Sequence, residues 1–306
     1  MTVSASPDDA PALSRFTRTA ETAATGVIRA YSTSFGLATR LLGRRHRQHV
    51  RNVYALVRVA DEIVDGVARE AGLDPAAQRA ALDAYADETH RAMRTGYSSN
   101  IVIHAFARTA ARCRIGEDLT RPFFDSMRAD TTADEKSAPG SLQTYTAEAH
   151  ARYVHGSAEV VGLMCLRVFL RDENPPQADR DRLEAGARQL GAAFQNVNFL
   201  RDIADDTERL HRGYLGGSGR LTDEDRDAWV RTVRSQLDDA RRAIPLLPRD
   251  ARAAVRSALA LFESLAARVA RLPAAALYEK RVRVPDAVKV LLAARSLVVT
   301  WAEPRR

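Results

Sequence analysis

Lysine is nearly absent: of the 46 basic residues only Lys136, Lys280 and Lys289 are lysines, so arginine carries almost all of the positive charge. Cysteine occurs twice, at Cys113 and Cys165, too far apart for a CxxC redox or zinc motif, and the two read as buried free thiols in a reducing compartment. Gly (16) and Pro (12) are sparse for 306 residues, which argues against a turn-rich β-architecture. No run approaches the roughly 18 apolar residues that a membrane-spanning helix needs. The best candidate, Val160–Leu170, is short and contains Arg167. The opening MTVSASPDDAPAL has neither a basic leader nor an apolar signal core. These absences predict a soluble, cytoplasmic chain, membrane-peripheral at most.

Ala, Leu, Arg and Val recur throughout, with 45% hydrophobic and 28% charged residues, which is globular and predicts an all-α fold. The net charge of +7 allows an anionic partner. The arginines alternate with Ala, Asp and Glu along the helices instead of forming a block, and no helix-turn-helix, zinc-finger or RNA-recognition signature occurs. That distribution reads first as arginine standing for lysine on solvated faces; for an anionic partner, phosphate esters fit better than nucleic acid. Periodicity predicts a tail over 1–13 and a helix from Ser14, its N-cap, to about 31. Further helices are expected at about 46–65, 75–95, 100–114, 119–129, 141–170, 177–211, 222–243, 248–271 and 285–302. The breaks at 131–140, 172–176 and 212–225 are too short for domain linkers, so residues 14–306 read as one helical domain around a central space. GGSG at 216–219 follows no strand and lacks a Lys-Ser/Thr ending, so it marks a turn and no nucleotide loop.

Two segments carry chemistry. In VYALVRVADEIVDG (53–66), Arg58, Asp61 and Asp65 stand at i, i+3 and i+7 on one face of an otherwise apolar helix. In LGAAFQNVNFLRDIADD (190–206), Gln195, Asn198, Asp202 and Asp206 advance by three, four and four, with Arg201 beside them. Either stripe alone reads as a solvated face with i,i+4 charges. Two of them, each on an apolar helix and each with an arginine, argue instead for carboxylates facing an internal cavity. Burying such carboxylates unpaired would cost several kcal/mol. A hard divalent cation, Mg²⁺, relieves that conflict and suits oxygen donors without His or Cys.

Together with the intervening GSAEVVGLMCLRVF, these segments resemble the squalene and phytoene synthase family over about 31–284, and its bacterial phytoene-forming members in particular. The resemblance implies an isoprenoid-synthase fold, with three Mg²⁺ ions (Mn²⁺ able to substitute) between two facing aspartate helices. It implies that Asp61, Asp65, Asn198, Asp202 and Asp206 hold metal, and that Arg58, Gln195, Arg201 and Arg281 contact diphosphate. It further implies that Ser32 and Ser34 of YSTSF hydrogen-bond a diphosphate, that Tyr54 borders that site, and that Tyr153 acts near the reacting carbons. The chain departs from the family pattern in DEIVD for DDxxD, in Val154 for Cys, and in RGYLGG, which keeps Tyr214 and loses a proline. Glu159 stands at a frequent glycine, where it would either intrude on the cavity or pair with an arginine.

The activity so implied is head-to-head condensation of two geranylgeranyl diphosphates, through prephytoene diphosphate, to phytoene, with no NADPH. Lipidic substrate and product imply peripheral membrane contact. The sequence leaves oligomeric state open. Three alternatives stand: a C15-specific sister making squalene, dehydrosqualene or presqualene diphosphate, a terpene cyclase, and a non-catalytic relative, against which the retained aspartates argue.

Overall fold

The computed structural model describes residues 11–64, 66–136, 143–144, 146–208, 212–213 and 220–303; side chains at 33–34, 132–136, 143–144, 205–208 and 212–213 are outside the description. Helix α1 (Pro11–Tyr31) begins three residues before the expected start, with Pro11 in the first turn, where a missing N–H costs nothing. Ser14 is therefore no N-cap; its hydroxyl accepts from Arg18 instead. α2 (Thr33–Arg40) was not expected. α3 (Arg44–Val64), α4 (Val67–Glu70), α5 (Pro75–Thr95), α6 (Ile101–Cys113) and α7 (Glu117–Lys136) follow. α7 runs on through the first six residues of the expected 131–140 break.

α8 (Ala147–Val154) continues through a π-helical turn at His155–Glu159 into α9 (Val160–Leu170). Next come α10 (Gln177–Glu208), α11 (Asp223–Ala243), α12 (Arg249–Val269) and α13 (Asp286–Ala302). A two-residue parallel bridge pairs Gln143–Thr144 with Arg212–Gly213, and among the described residues the fold is otherwise all-α. The GGSG turn, Tyr214 and residues 1–10 lie outside the described residues.

Local chemistry sets the boundaries. Asp74 caps α5 by accepting from the Ala77 amide at 2.7 Å, and Gly96, at φ 75°, closes it in the left-handed conformation that glycine adopts freely. Asn100 caps α6, Thr146 caps α8, and Thr222 with Asp225 forms a reciprocal capping box on α11.

Two apolar clusters make the core. One, with Leu56, Leu82, Phe106, Phe123 and Met164, joins α3, α5, α6, α7 and α9. The other, with Leu200, Leu237, Phe262 and Leu265, joins α10, α11 and α12. The Ala147–Leu170 helix is long and apolar enough to cross a membrane, but half of its most apolar stretch is buried against its neighbours. Its seam with α10 is unusually close. A Cβ at Gly162 would stand 2.5 Å from the Ala187 carbonyl, and one at Gly191 would stand 2.5 Å from the Ala158 carbonyl. Across the molecule, buried His46 bridges the Val168 carbonyl and Asp250 at 3.2 and 3.1 Å, while Arg45 grips the same carboxylate at 2.8 Å, tying α3 to α9 and α12.

Candidate active site

A cavity of about 980 Å³ lies between the two clusters and draws its wall from both. The lining changes character along its two principal helices. On α3 it passes from Val50, Val53 and Val57 to Arg58 and Asp61. On α10 it passes from Leu183, Leu190 and Phe194 to Gln195, Asn198, Arg201 and Asp202. The described members of both expected polar stripes therefore face one interior space, at the C-terminal parts of their helices. The apolar stretch includes a stacked pair, Phe194 and Phe262, with ring centroids 3.8 Å apart and 15° between planes.

On α3, Arg58 pairs with Glu62, lies 3.9 Å from Asp61 and holds its guanidinium 4.6 Å from the centre of the Tyr31 ring. Tyr54, one turn earlier, also lines the cavity; burial pushes its phenol above the ordinary value, against the opposing pull of Arg58 and a Ser32 hydrogen bond. Ser32 lines the cavity too, but its hydroxyl already accepts from the Phe35 amide at 3.0 Å as the N-cap of α2. On α10, Arg201 donates to Asp202 at 2.9 Å, and Arg281, arriving from the segment before α13, reaches the same carboxylate at 2.7 Å. Two guanidiniums thus meet one acid. The Asn198 side-chain oxygen is buried and accepts no hydrogen bond, an orphan acceptor on the cavity wall.

That orphan oxygen and the carboxylates of Asp61 and Asp202 are hard donors, and their chemistry fits a hard cation. Among the described residues no cluster of three or more His, Cys, Asp or Glu side chains forms a complete metal site. Two of the five expected ligands, Asp65 and the Asp206 side chain, lie outside the described residues, as does the Ser34 side chain.

Tyr153, 7% exposed on α8, lines the cavity next to the π turn. Its hydroxyl donates at 2.8 Å to Asp130 of α7, a carboxylate only 2% exposed that lines the same space. Sequence reasoning missed Asp130. The signal was present, because Phe123, Met127 and Asp130 follow helical spacing on the buried face of α7, and an acid there needs a partner. Ser157, Asp286 and Lys289 also line the cavity and were not expected. Glu159 does not intrude: it pairs with His155 at 2.9 Å and lies 3.7 Å from Arg188. Cys165 lines the cavity and Cys113 the core; burial raises their thiols to about 12 and about 11, as befits unreactive cysteines.

Residues 28–219 match the family model described as squalene/phytoene synthase. The chain belongs to this family. It is 30% identical over 192 residues to the 15-cis-phytoene synthase of Paracoccus sp., covering 61% of this chain and 56% of that one. Against phytoene synthase 1, chloroplastic, of Arabidopsis thaliana the figures are 29% over 221 residues, 69% and 49%. The 4,4'-diapophytoene synthase of Staphylococcus haemolyticus is 26% identical over 180 residues, 59% and 56%. The chain spans about half the length of these curated relatives. Among solved structures, a dehydrosqualene synthase superposes with a TM-score of 0.75 at 20% identity, covering 95% of this chain and all of that one. Squalene synthase HpnC from Alicyclobacillus acidocaldarius gives 0.67 at 21%, covering 83% and 94%. At these identities the likeness concerns the fold, which is that of the isoprenoid synthases.

Proposed function

We propose that the chain is a phytoene synthase, condensing two geranylgeranyl diphosphates head to head in a Mg²⁺-dependent reaction. The observation that carries the reading is the polarity gradient: carboxylates, an orphan amide oxygen and arginines line the same cavity as a long apolar wall. Mg²⁺ bound to Asp61, Asn198 and Asp202, with Asp65 and Asp206, would neutralise diphosphate and make it a competent leaving group.

Arg58, Arg201 and Arg281, with Gln195, hold the diphosphates by charge and hydrogen bonds. The Val- and Phe-lined wall receives the C20 chains, each buried CH₂ contributing about 0.8 kcal/mol, and excludes water from the allylic cation. The double bond of the second substrate attacks that cation, a proton is lost and the cyclopropyl prephytoene diphosphate forms. A second ionisation and rearrangement, with loss of another proton, gives phytoene without a reductant. Tyr153, its hydroxyl engaged by Asp130, presents an electron-rich ring to the positive charge.

A C15-specific activity is the second reading, supported by the similarity to the diapophytoene relative and by the shared fold with dehydrosqualene synthase. Incubation with geranylgeranyl or farnesyl diphosphate, with and without Mg²⁺, separates the two. A Mg²⁺-dependent C40 hydrocarbon is expected; a C30 product alone refutes the substrate assignment. Lipidic substrate and product also favour peripheral membrane contact from a cytoplasmic location.

A further inference from the structure

Helix α13 is inside out. The side it packs against α12 buries Ala293, Ser296 and Thr300, whose hydroxyls are satisfied by the helix's own carbonyls of Leu292 and Ser296. The opposite side exposes Val290 (58%), Leu291 (66%), Leu297 (49%), Val298 (67%) and Trp301 (80%). At 3.6 residues per turn these fall with Ala287, Ala294 and Val299 on an arc of roughly 200°, interrupted by one charge, Arg295. Scattered surface leucines need no explanation, but a contiguous apolar helix face does.

The charges around this face are predominantly cationic: of the acids beside it, Asp286 is paired with Lys289 and Glu303 with Arg252 and Arg256, which leaves Glu279. Lys280 and Arg283, just before the helix, and Arg295, within it, make no ion pair with described residues. At the other end, Arg249 donates to the Trp301 carbonyl at 3.0 Å, and its neighbour Asp250 accepts from Gly43 at 2.8 Å, which brings the α2–α3 turn alongside. Flanking that turn, the end of α2 carries Arg40 and the start of α3 carries Arg44, Arg47 and Arg51, none paired to a described carboxylate, and the Nε atoms of Arg47 and Arg51 are buried without partners. Burial first, then the charges of Arg47, Arg29 and Arg40, hold the Arg51 guanidinium below its ordinary value. The helix also reaches the cavity, since Pro285, Asp286 and Lys289 line it.

We infer that α13 and the arginines beside it form a docking surface for an anionic phospholipid bilayer, in which the helix lies in the interface with Trp301 at headgroup level. A second copy docked through the same face would set these unneutralised cations against one another, whereas anionic headgroups neutralise them. The choice of lipid rests in part on the lipidic substrate proposed above, because the cavity rim and the apolar face share one helix.

The test uses the full chain with phosphatidylcholine vesicles, with and without phosphatidylglycerol. Co-sedimentation with the anionic vesicles is expected, weakened by salt, with a blue shift of tryptophan emission that disappears in Trp301→Phe. Leu291→Glu with Val298→Glu weakens binding at least about tenfold, while the melting temperature is kept because both residues are exposed. Leu291→Ser with Val298→Ser guards against an effect of added negative charge. Absence of sedimentation, unchanged emission or undiminished binding by both double variants overturns the inference. So does a concentration-dependent dimer that the same variants dissolve. No turnover is read, so a C40-producing enzyme that ignores vesicles sinks this inference alone, and a vesicle-bound C30 enzyme sinks only the substrate reading.

Discussion

Replacing Asp130 tests whether Tyr153 acts alone or as half of a pair. The two groups are 2% and 7% exposed and joined by a 2.8 Å hydrogen bond, so water cannot substitute for either partner. A hydrogen bond to a charged group contributes about 1.5–3 kcal/mol. Asp130→Asn keeps the shape and an acceptor oxygen and removes the carboxyl group that accepts from the phenol. If that carboxyl acts as an anion on a cationic transition state, a loss of about 1.4–2.8 kcal/mol lowers kcat by about 10- to 100-fold. KM should stay nearly unchanged, because Asp130 is outside the diphosphate-binding set. Product formation from geranylgeranyl diphosphate and Mg²⁺ at saturation measures this, with urea unfolding to confirm stability. Tyr153→Phe alone and with Asp130→Asn completes the cycle: two groups acting as one unit give a double variant no slower than the worse single. Fully additive losses, or an Asp130→Asn enzyme of normal kcat, would refute the pairing.

Asp61→Ala and Asp202→Ala should each abolish turnover while the far-ultraviolet spectrum and melting temperature stay within a few degrees of the parent, since Arg58, Arg201 and Arg281 all retain access to solvent. Retained product formation in either variant contradicts the proposed metal role. His49, buried and hydrogen-bonded to Thr109 at 2.9 Å, is lowered by burial from 6.5 to about 4. The unfolded chain binds a proton in that interval that the folded chain refuses, so stability is full above about pH 6.5 and falls by about 3 kcal/mol on the way to pH 4. Urea titrations across this range should flatten in His49→Gln; an unaltered slope assigns the effect elsewhere. Gly191→Ala forces a Cβ to within 2.5 Å of the backbone at Ala158 and should cost about 1–3 kcal/mol in urea unfolding, in contrast to Gly26→Ala, where the space is open.

Most of the helices were legible because their apolar residues recur at helical spacing and their ends carry Asp, Asn or Thr caps. α2 was not, because eight residues are too few for a period to emerge and its cap, Ser32, reads equally well as a ligand-binding serine. The two acidic stripes were legible for a different reason: polar residues at i, i+3 and i+7 on apolar helices have few places to point. Pairings between distant segments were not. Nothing local joins Asp202 to Arg281 or Tyr153 to Asp130, and only the packing of α7 on α8 and the return of the chain before α13 bring them together. α13 was legible as a helix but its orientation was not: the structure buries its small and hydroxylated residues and exposes the large ones.

On the proposed function, the glycine seam between the α8–α9 rod and α10 bears on product size. Where main chain already rests on main chain, neither rod can approach the other, and parting them would break packing along their whole length. One wall of the chamber is thereby pinned by peptide groups. If the chain binds prenyl diphosphates as proposed, tuning toward longer or shorter tails along that wall falls to side chains that project into the void, such as Phe194, Phe262 and Leu183.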